Sequence, residues 1–309
     1  MLSRRQLRVK VMQALYAFFQ SENSDIGVAE RELFRNIDRV NDLYYFILLF
    51  LVELGDAEQL NLEESGEKFF KDKEDKLTGF RIDNHPFIAA LRTSEVFKET
   101  VKKKKLSWQK DHDLVKNTFL AIKKSAAYKE YINNGGSAKE FLLEAVKKHI
   151  LESTAFRHTI EEINSFWFED LDFVCHMMLR SIKTFFDQKK LELFGTYKDE
   201  EEDKQFVREL FHQTILHNTE YEKAITEKTK NWELDRIALM DIILMKMALA
   251  ELMTFPSIPV KVSINEYIDI SKDFSTPKSN HFINGIIDKL AADFKQNGKI
   301  VKTGRGLIE

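Results

Sequence analysis

Positive charge is concentrated at the start of the chain. Residues 1–16 contain four basic side chains and no acidic one, although the whole chain of 309 residues carries a formal net charge of −3. Guanidinium groups bind phosphate oxygens through charge-assisted hydrogen bonds. The chemistry that this pattern suggests first is binding of a polyanion at one surface of a protein that is otherwise near neutral.

Other groups that could do chemistry are weaker candidates. The lysine run 102–105 could bind phosphate and Trp108 could stack on a base, but such a run is more often a solvated helix face. Cys175 and His176 have no second pair of metal ligands nearby, and we expect an ordinary thiol and imidazole there. The sequence also lacks the fingerprints of nucleotide-binding loops, zinc proteases and serine hydrolases. We therefore predict no catalytic residue, no cofactor and no metal, and a binding protein rather than an enzyme.

The composition predicts a helical, soluble protein. Eleven Gly and four Pro are few for 309 residues, and strands joined by turns would need more of both. The single cysteine excludes an internal disulfide and suits a reducing compartment. The longest apolar run, Tyr44–Val52, is about half of what a membrane-spanning helix requires. No continuous apolar stretch follows the basic start, so a signal peptide is not expected. We expect a cytoplasmic protein with no membrane association.

The basic residues stand at the front of a predicted helix over Arg4–Phe19. Helical spacing gives this segment two apolar stripes on roughly opposite sides. The stripes are Leu7, Val11, Ala14, Leu15 and Phe18 on one side, and Val9, Met12, Tyr16 and Phe19 on the other. The helix is either a surface helix with a core side and a binding side, or a central helix with a charged end. Because unpaired buried charge is unfavourable, the sequence favours the surface helix.

Further helices are predicted along the rest of the chain. Residues 25–202 read as successive helices, one of them preceded by the capping box Ser137-x-x-Glu140. A stretch ending in MDIILMKMALAELM is apolar on nearly every side, which predicts a helix inside a bundle. Ser263-x-x-Glu266 predicts a second capping box. Residues 297–309 mix glycines with basic residues, and we expect a flexible tail.

Four stretches resemble the NusB family of bacterial transcription antitermination factors. They are SRRQLRVKVMQALYAF, WELDRIALMDIILMKMALAEL, PVKVSINEYIDISKDFS and HFINGIIDKL. The similarity lies in order, spacing and residue type over residues 3–20 and about 204–296. It implies an all-α fold of NusB-like helical bundles. It also implies binding of boxA-type single-stranded RNA from ribosomal-operon leaders. The implied protein partners are NusE, which is also a small-subunit ribosomal protein, and the antitermination complex on RNA polymerase.

The resemblance also implies which residues contact each partner. Those expected to face RNA are Arg4, Arg5, Arg8, Lys246, Lys278, Phe282 and Asn284, and those expected to face NusE are Tyr16 and Glu251. Lys246 stands where the family usually has Arg, which keeps the charge but loses the planar fork. Lys278 stands where well-known members have an acid. Phe282 would stack on a base and Asn284 would read a base edge, although a core Phe and a helix-bracing Asn are equally open.

The middle of the chain has no counterpart in compact members of the family. We therefore predict a basic helix of the NusB-like core over 1–25 and a large helical insertion of unknown role over 26–200. The remainder of the core is predicted over 201–296, followed by a flexible basic tail over 297–309. Two other functions stay open. One is a helical adaptor in ribosome assembly without specific RNA readout. The other is an RNA-modifying enzyme, which the scarcity of glycines disfavours.

Overall fold

Helices make up most of the described part of the chain. The computed structural model describes residues 1–21, 25–66, 81–229, 237–276 and 279–307, without the side chains of residues 65 and 66. Within these ranges there are α-helices and short 3₁₀ and π turns, and no β-strand. The all-α fold class is confirmed.

The described residues divide into two compact units. Unit 1 comprises Met1–Ile37 and Tyr197–Glu309, and unit 2 comprises Asp38–Thr196. Unit 1 therefore consists of two pieces that are far apart in the sequence, whereas unit 2 is continuous. The predicted insertion over 26–200 began earlier than unit 2, because residues 26–37 group with unit 1.

Unit 1 is built around one central helix. Its helices are α1 (Arg4–Gln20), the beginning of α2 (Ile26–Gly66), α10 (Glu200–Leu216), α11 (Asn218–Lys228), α12 (Leu239–Thr254), α13 (Val260–Phe274) and α14 (Ser279–Gln296). Helix α12 packs against α1, α10, α11, α13 and α14. Its apolar side chains are buried on all sides, as its sequence predicts. Because α12 is surrounded, every polar side chain on it must find a partner inside the unit.

The capping patterns have different outcomes at three serines. Ser3 caps α1 in a reciprocal box with Gln6, a pattern that the sequence analysis did not identify. Ser137 accepts a hydrogen bond from the Glu140 backbone N–H, which confirms the predicted N-cap and is one of the two bonds of a capping box. The prediction for Ser263 is wrong. Helix α13 begins earlier, at Val260, so Ser263 lies inside the helix and is buried.

Unit 2 has an aromatic core. Its helices are the continuation of α2, then α3 (Pro86–Thr93), α4 (Glu95–Lys104), α5 (His112–Lys124), α6 (Ala126–Asn134), α7 (Ala138–Val146), α8 (Thr154–Ile163) and α9 (Ser165–Gln188). The apolar run Tyr44–Val52 lies in α2 and is almost wholly buried. Trp108 stacks on Phe46 with ring centroids 4.1 Å apart and lies 4.6 Å from the ring of Phe50. The run is therefore part of the core of unit 2.

The structure contradicts the other possible site for phosphate and base binding, which was the lysine run 102–105 with Trp108. Trp108 is 1% exposed, and its indole N–H donates to the backbone oxygen of Phe46 at 2.9 Å. It cannot stack on a nucleic-acid base in this structure. The lysines of 102–105 lie exposed at the end of α4, and Lys104 pairs with Asp42 at 2.9 Å. A solvated helix end describes this run.

The C-terminal segment is docked on unit 1. The backbone N–H of Thr303 donates to the Pro256 oxygen at 3.0 Å, and Lys302 Nζ donates to the Phe255 oxygen at 3.0 Å. The side chain of Ile300 is buried. A short 3₁₀ turn over Gly304–Leu307 follows. The expectation of a flexible tail is therefore wrong for residues 297–307, because backbone hydrogen bonds and an apolar anchor hold them.

Candidate nucleic-acid interface

A shallow groove of about 920 Å³ lies at the N-terminal end of α1 in unit 1. Its walls come from α1, α10, the connection between α12 and α13, the start of α13 and the docked C-terminal segment. Its charged lining residues are Arg4, Arg5, Arg8, Arg305, Glu202, Glu209 and Glu266. The basic start of the chain thus shares one groove with carboxylates from distant segments.

Arg4 lies on the α10 side of this groove. Its guanidinium is 2.8 Å from an oxygen of Glu202 and 2.8 Å from an oxygen of Asp203. It also lies over the ring of Phe206, 4.4 Å from the centroid, which is a cation–π distance. These contacts fix the direction of the guanidinium while leaving 32% of the side chain exposed.

Arg5 lies on the α13 side and is the most exposed of the three N-terminal arginines. Its guanidinium donates two hydrogen bonds to Glu266, at 2.9 and 3.0 Å, and one to Asp269 at 2.8 Å. The hydrogen bond to Glu266 is the main cause that raises the pKa of Arg5. The side chain is 44% exposed. An exposed guanidinium whose acceptors are surface carboxylates can exchange them for phosphate oxygens.

Arg8 forms a buried ion pair with Glu251. The guanidinium donates to both carboxylate oxygens at 2.7 Å, and the two side chains are 4% and 0% exposed. Ser263 and Tyr267 donate to the same carboxylate at 2.7 and 2.9 Å. Burial by itself would lower the pKa of Arg8, but the hydrogen bonds and charge of Glu251 outweigh burial and raise it. The pair is a structural link between α1, α12 and α13.

This ion pair contradicts the contact roles that were predicted for its two residues. Arg8 was expected to bind RNA and Glu251 to face the protein partner, but both are buried and saturated by each other. Both roles were implied by the family resemblance, and the surface position of the helix was favoured because unpaired buried charge is unfavourable; here the charge is paired. Neither side chain is exposed for contact with a partner in this structure. Arg8 also lies 3.5 Å from Glu266, so it helps to position an acceptor of Arg5.

Lys246 is also inside unit 1. Its ammonium donates to Glu222 at 2.6 Å and to Asn218 at 2.7 Å, and it lies 5.5 Å from the centroid of the Phe19 ring. The side chain is 6% exposed. The expectation that Lys246 presents its charge to RNA is therefore corrected: it joins α12 to α11 and to the end of α1.

The remaining predicted RNA contacts lie on or before α14. Phe282 and Asn284 are half-buried near the start of that helix, and they do not line the groove. Their roles in stacking and base reading stay predictions. Lys278 lies outside the described residues.

Tyr16 is exposed on α1, as expected of a partner-facing residue. Its side chain is 39% exposed, and its hydroxyl accepts a hydrogen bond from Gln20 at 3.4 Å. At 1.5 Å per residue, it stands about 16 Å along the helix from Arg5. One helix thus presents a guanidinium at one end and an aromatic ring further along.

Basic and acidic residues that are far apart in the sequence lie next to each other in the fold. The acidic run KDEEED over 198–203 contributes both acceptors of Arg4. Sequence reasoning missed this pairing, and it missed Arg305 as a groove residue, because nothing in the local spacing connects these segments with α1. The sequence shows the sign of each charge, but it does not show where that charge lies in the fold.

No metal site is formed by the histidines, cysteine and carboxylates of the described residues. Cys175 is buried, and burial raises the pKa of its thiol to about 12. His176 Nδ1 lies 2.7 Å from the Asp172 backbone oxygen. Among the helices described, none combines the length and apolar character needed to cross a membrane.

Known proteins resemble this chain over part of its length. The profile of the NusB family matches residues 170–292, from within α9 to within α14. Curated relatives named transcription antitermination protein NusB are 44% identical over 103 residues in Salinibacter ruber, 40% over 106 in Chloroherpeton thalassium and 39% over 93 in Geobacter sulfurreducens.

These matches are partial on both sides. They cover 33%, 34% and 30% of this chain and 64%, 50% and 67% of the three relatives, respectively. The chain thus spans about half to two thirds of the length of these relatives. A solved structure of T. maritima NusB, 20% identical, covers 59% of this chain and 94% of its own with a TM-score of 0.31.

Proposed function

We infer the function from one premise, which is that this chain belongs to the NusB family. The three relatives carry the name transcription antitermination protein. We propose that this chain is a transcription antitermination factor and that unit 1 carries this role.

In this proposal unit 1 binds boxA-type single-stranded RNA of ribosomal-operon leaders together with NusE. The pair then helps to assemble the antitermination complex on RNA polymerase, which places the protein in the cytoplasm. The role is one of binding and needs no catalytic residue, cofactor or membrane.

The observation that carries the RNA part of the proposal is the exposed guanidinium of Arg5. It lies in a groove with Arg4, and its acceptors Glu266 and Asp269 are themselves partly exposed. Phosphate oxygens and carboxylate oxygens offer a guanidinium the same paired geometry. An RNA phosphate would therefore take the place of the carboxylates, and binding strength would depend on how firmly those carboxylates hold the arginine.

This competition gives a paired test with boxA RNA. Arg5→Ala should weaken binding and make the plot of log affinity against log salt shallower by about 0.7, the value for one phosphate on a single strand. Glu266→Gln removes a competing carboxylate charge, so it should tighten binding. The measurement is a fluorescence-anisotropy titration at several salt concentrations, with a scrambled RNA of the same length beside it.

The control is Lys103→Ala, which removes one exposed positive charge from unit 2. It should leave affinity and slope nearly unchanged. If Arg5→Ala behaves like Lys103→Ala, the groove does not bind RNA. Equal binding of boxA and scrambled RNA would favour the adaptor in ribosome assembly without specific readout.

The protein partner is tested at Tyr16. Tyr16→Ala removes an exposed aromatic side chain and should weaken the complex with NusE, while Tyr16→Phe keeps the ring and should bind nearly as the wild type does. Calorimetric titration with NusE measures both variants. Wild-type affinity for Tyr16→Ala would remove this surface from the proposal.

A further inference from the structure

We propose that Arg305, on the docked C-terminal segment, is an additional phosphate-binding residue of the groove. This inference rests on the proposed RNA-binding function and extends it to a residue outside the range that the NusB profile matches. The ligand group is the phosphodiester of single-stranded RNA, bound between Arg305 and the arginines at the start of α1.

The segment before Arg305 is held in place on unit 1. Ile300 is buried, and the Thr303 N–H donates to the Pro256 oxygen. Gly306 packs so closely on the same Pro256 oxygen that a Cβ atom at this position would overlap it. Arg305 therefore stands between two fixed contacts with the connection that joins α12 to α13.

This placement brings Arg305 into the groove. It lines the groove together with Arg4 and Arg5, which come from the opposite end of the chain. Phe255, Ile258 and Val262 line the same groove and supply apolar surface beside the charges. A single strand of nucleic acid suits this combination, since its backbone is anionic and its bases present flat faces that pack on side chains.

The arginines of the groove differ in their carboxylate partners. Arg4, Arg5 and Arg8 each pair with at least one carboxylate. Arg305 is exposed, and no carboxylate pairs with it among the residues that the structure describes. A phosphate can therefore bind Arg305 without displacing an acidic side chain. This makes Arg305 the groove arginine most readily available to an incoming strand.

The test compares two charge removals on the same segment. Arg305→Gln should weaken boxA RNA binding and make the salt plot shallower by about 0.7, the value for one lost phosphate contact. Lys299→Gln is the matched control, because Lys299 is also exposed and basic but pairs with Glu220 and does not line the groove. It should leave the slope unchanged. Arg305→Lys keeps the charge, so it should keep most of the slope.

A second variant tests whether docking positions Arg305. Gly306→Ala introduces the overlapping Cβ while keeping every charge, so it should displace the segment and weaken RNA binding to a similar extent as Arg305→Gln. Binding of NusE measures whether unit 1 remains folded in each variant.

The outcomes separate this inference from the proposed function. If the wild type does not bind boxA RNA, the proposed function fails. If the wild type binds and Arg5→Ala weakens binding, but Arg305→Gln matches Lys299→Gln, only the role of Arg305 is overturned.

Discussion

The two units bury polar groups in opposite ways. In unit 1 two buried basic groups have charged partners: Arg8 pairs with the buried Glu251, and Lys246 pairs with the exposed Glu222. In unit 2 several buried polar groups hydrogen-bond without a charged partner. Tyr44 shares a hydrogen bond with Ser181, Trp108 donates to a backbone oxygen, and His85 lies 2.9 Å from the Ala138 oxygen.

Even the buried carboxylate of unit 2 follows this rule. Glu58 is 1% exposed and accepts hydrogen bonds from the Tyr128 hydroxyl and the Asp83 backbone N–H. Burial raises the pKa of Glu58, which favours its neutral form. In unit 1, by contrast, Tyr267 and Ser263 donate to a carboxylate that also pairs with Arg8.

The difference shows which unit connects its buried charges to its surface. In unit 1 the buried pair continues outward, because Glu266 contacts both Arg8 and the exposed Arg5. The core of unit 1 therefore orients the charged groups of the groove. The polar groups of unit 2 end inside its own core, which fits a role in holding that fold together.

The largest expected effect on stability appears when the segment between the two pieces of unit 1 is removed with two different boundaries. Replacing 38–196 by a Gly/Ser linker should leave a folded unit 1, because Leu33 and Ile37, both fully buried, are kept. Joining residue 24 to residue 202 removes them. Each such loss typically destabilises by about 2–5 kcal/mol, against a total of about 5–15 kcal/mol for a domain. We expect only the shorter excision to melt cooperatively by circular dichroism. Equal melting of both would assign the start of α2 to unit 2.

The next largest effect is expected from substitutions that break the buried ion pair of unit 1. Arg8→Ala or Glu251→Ala leaves one charge buried without its partner, which typically destabilises by about 3–5 kcal/mol. Replacing Arg8 by Met and Glu251 by Leu together should recover part of this loss, because no charge stays unpaired although the Ser263 and Tyr267 hydroxyls lose their acceptor. Arg5→Ala, at an exposed pair, should change stability by about 1 kcal/mol or less. Urea unfolding measures all four proteins. A double variant as unstable as the singles would contradict this explanation.

The corresponding effect in unit 2 depends on pH. Burial lowers the pKa of His85 to about 4 from the ordinary 6.5, so below pH 6.5 the unfolded state binds a proton that the folded state does not. Unit 2 should lose up to about 3 kcal/mol from this group as the pH falls from 6.5 to 4. His85→Asn keeps a helix-capping side chain and should not show this loss. The measurement is the difference in unfolding free energy between the two proteins across this range, followed by tryptophan fluorescence. A constant difference would contradict a neutral buried histidine.

The smallest effect concerns the end of α2 that belongs to unit 1. Glu30 accepts from Arg208 and His212, both at 2.8 Å, and these hydrogen bonds outweigh burial and lower the pKa of Glu30. Its contribution is therefore present above pH 4.5 and is lost as the pH falls through the lowered value. Glu30→Gln should destabilise by about 1 kcal/mol or less at pH 7, since the pair is partly exposed. Urea unfolding at pH 3 should show a smaller difference. A difference that grows on acidification would contradict the sign.

The fold class was predictable because helical patterns are local. The start of α1 follows from residues 3–20, and the interior position of α12 follows from its lack of a polar face. The pairings were not predictable, because Arg8 and Glu251 are 243 positions apart and nothing local relates them. The same reason explains why Lys246 was placed on the surface. A lysine in an apolar helix signals either an exposed face or a buried partner, and only the fold decides which.

The candidate site was therefore predicted in part. Arg4, Arg5 and Tyr16 keep enough exposure to contact a ligand, and their functional roles stay predictions. The docked tail was missed for a different reason. Glycines at 304 and 306 suggest flexibility in a sequence, whereas Gly306 is there because its backbone lies against Pro256.

The division of unit 1 into two pieces has a consequence during protein synthesis. Arg8 leaves the ribosome long before Glu251, and at about 5–20 residues per second the delay is roughly 12–50 s. Unit 2 is continuous and can fold while unit 1 still lacks its second piece. In that interval the apolar face of α1 has none of α10, α12 or α13 to pack against. The helix therefore waits for most of its packing partners until the second piece of unit 1 has been made.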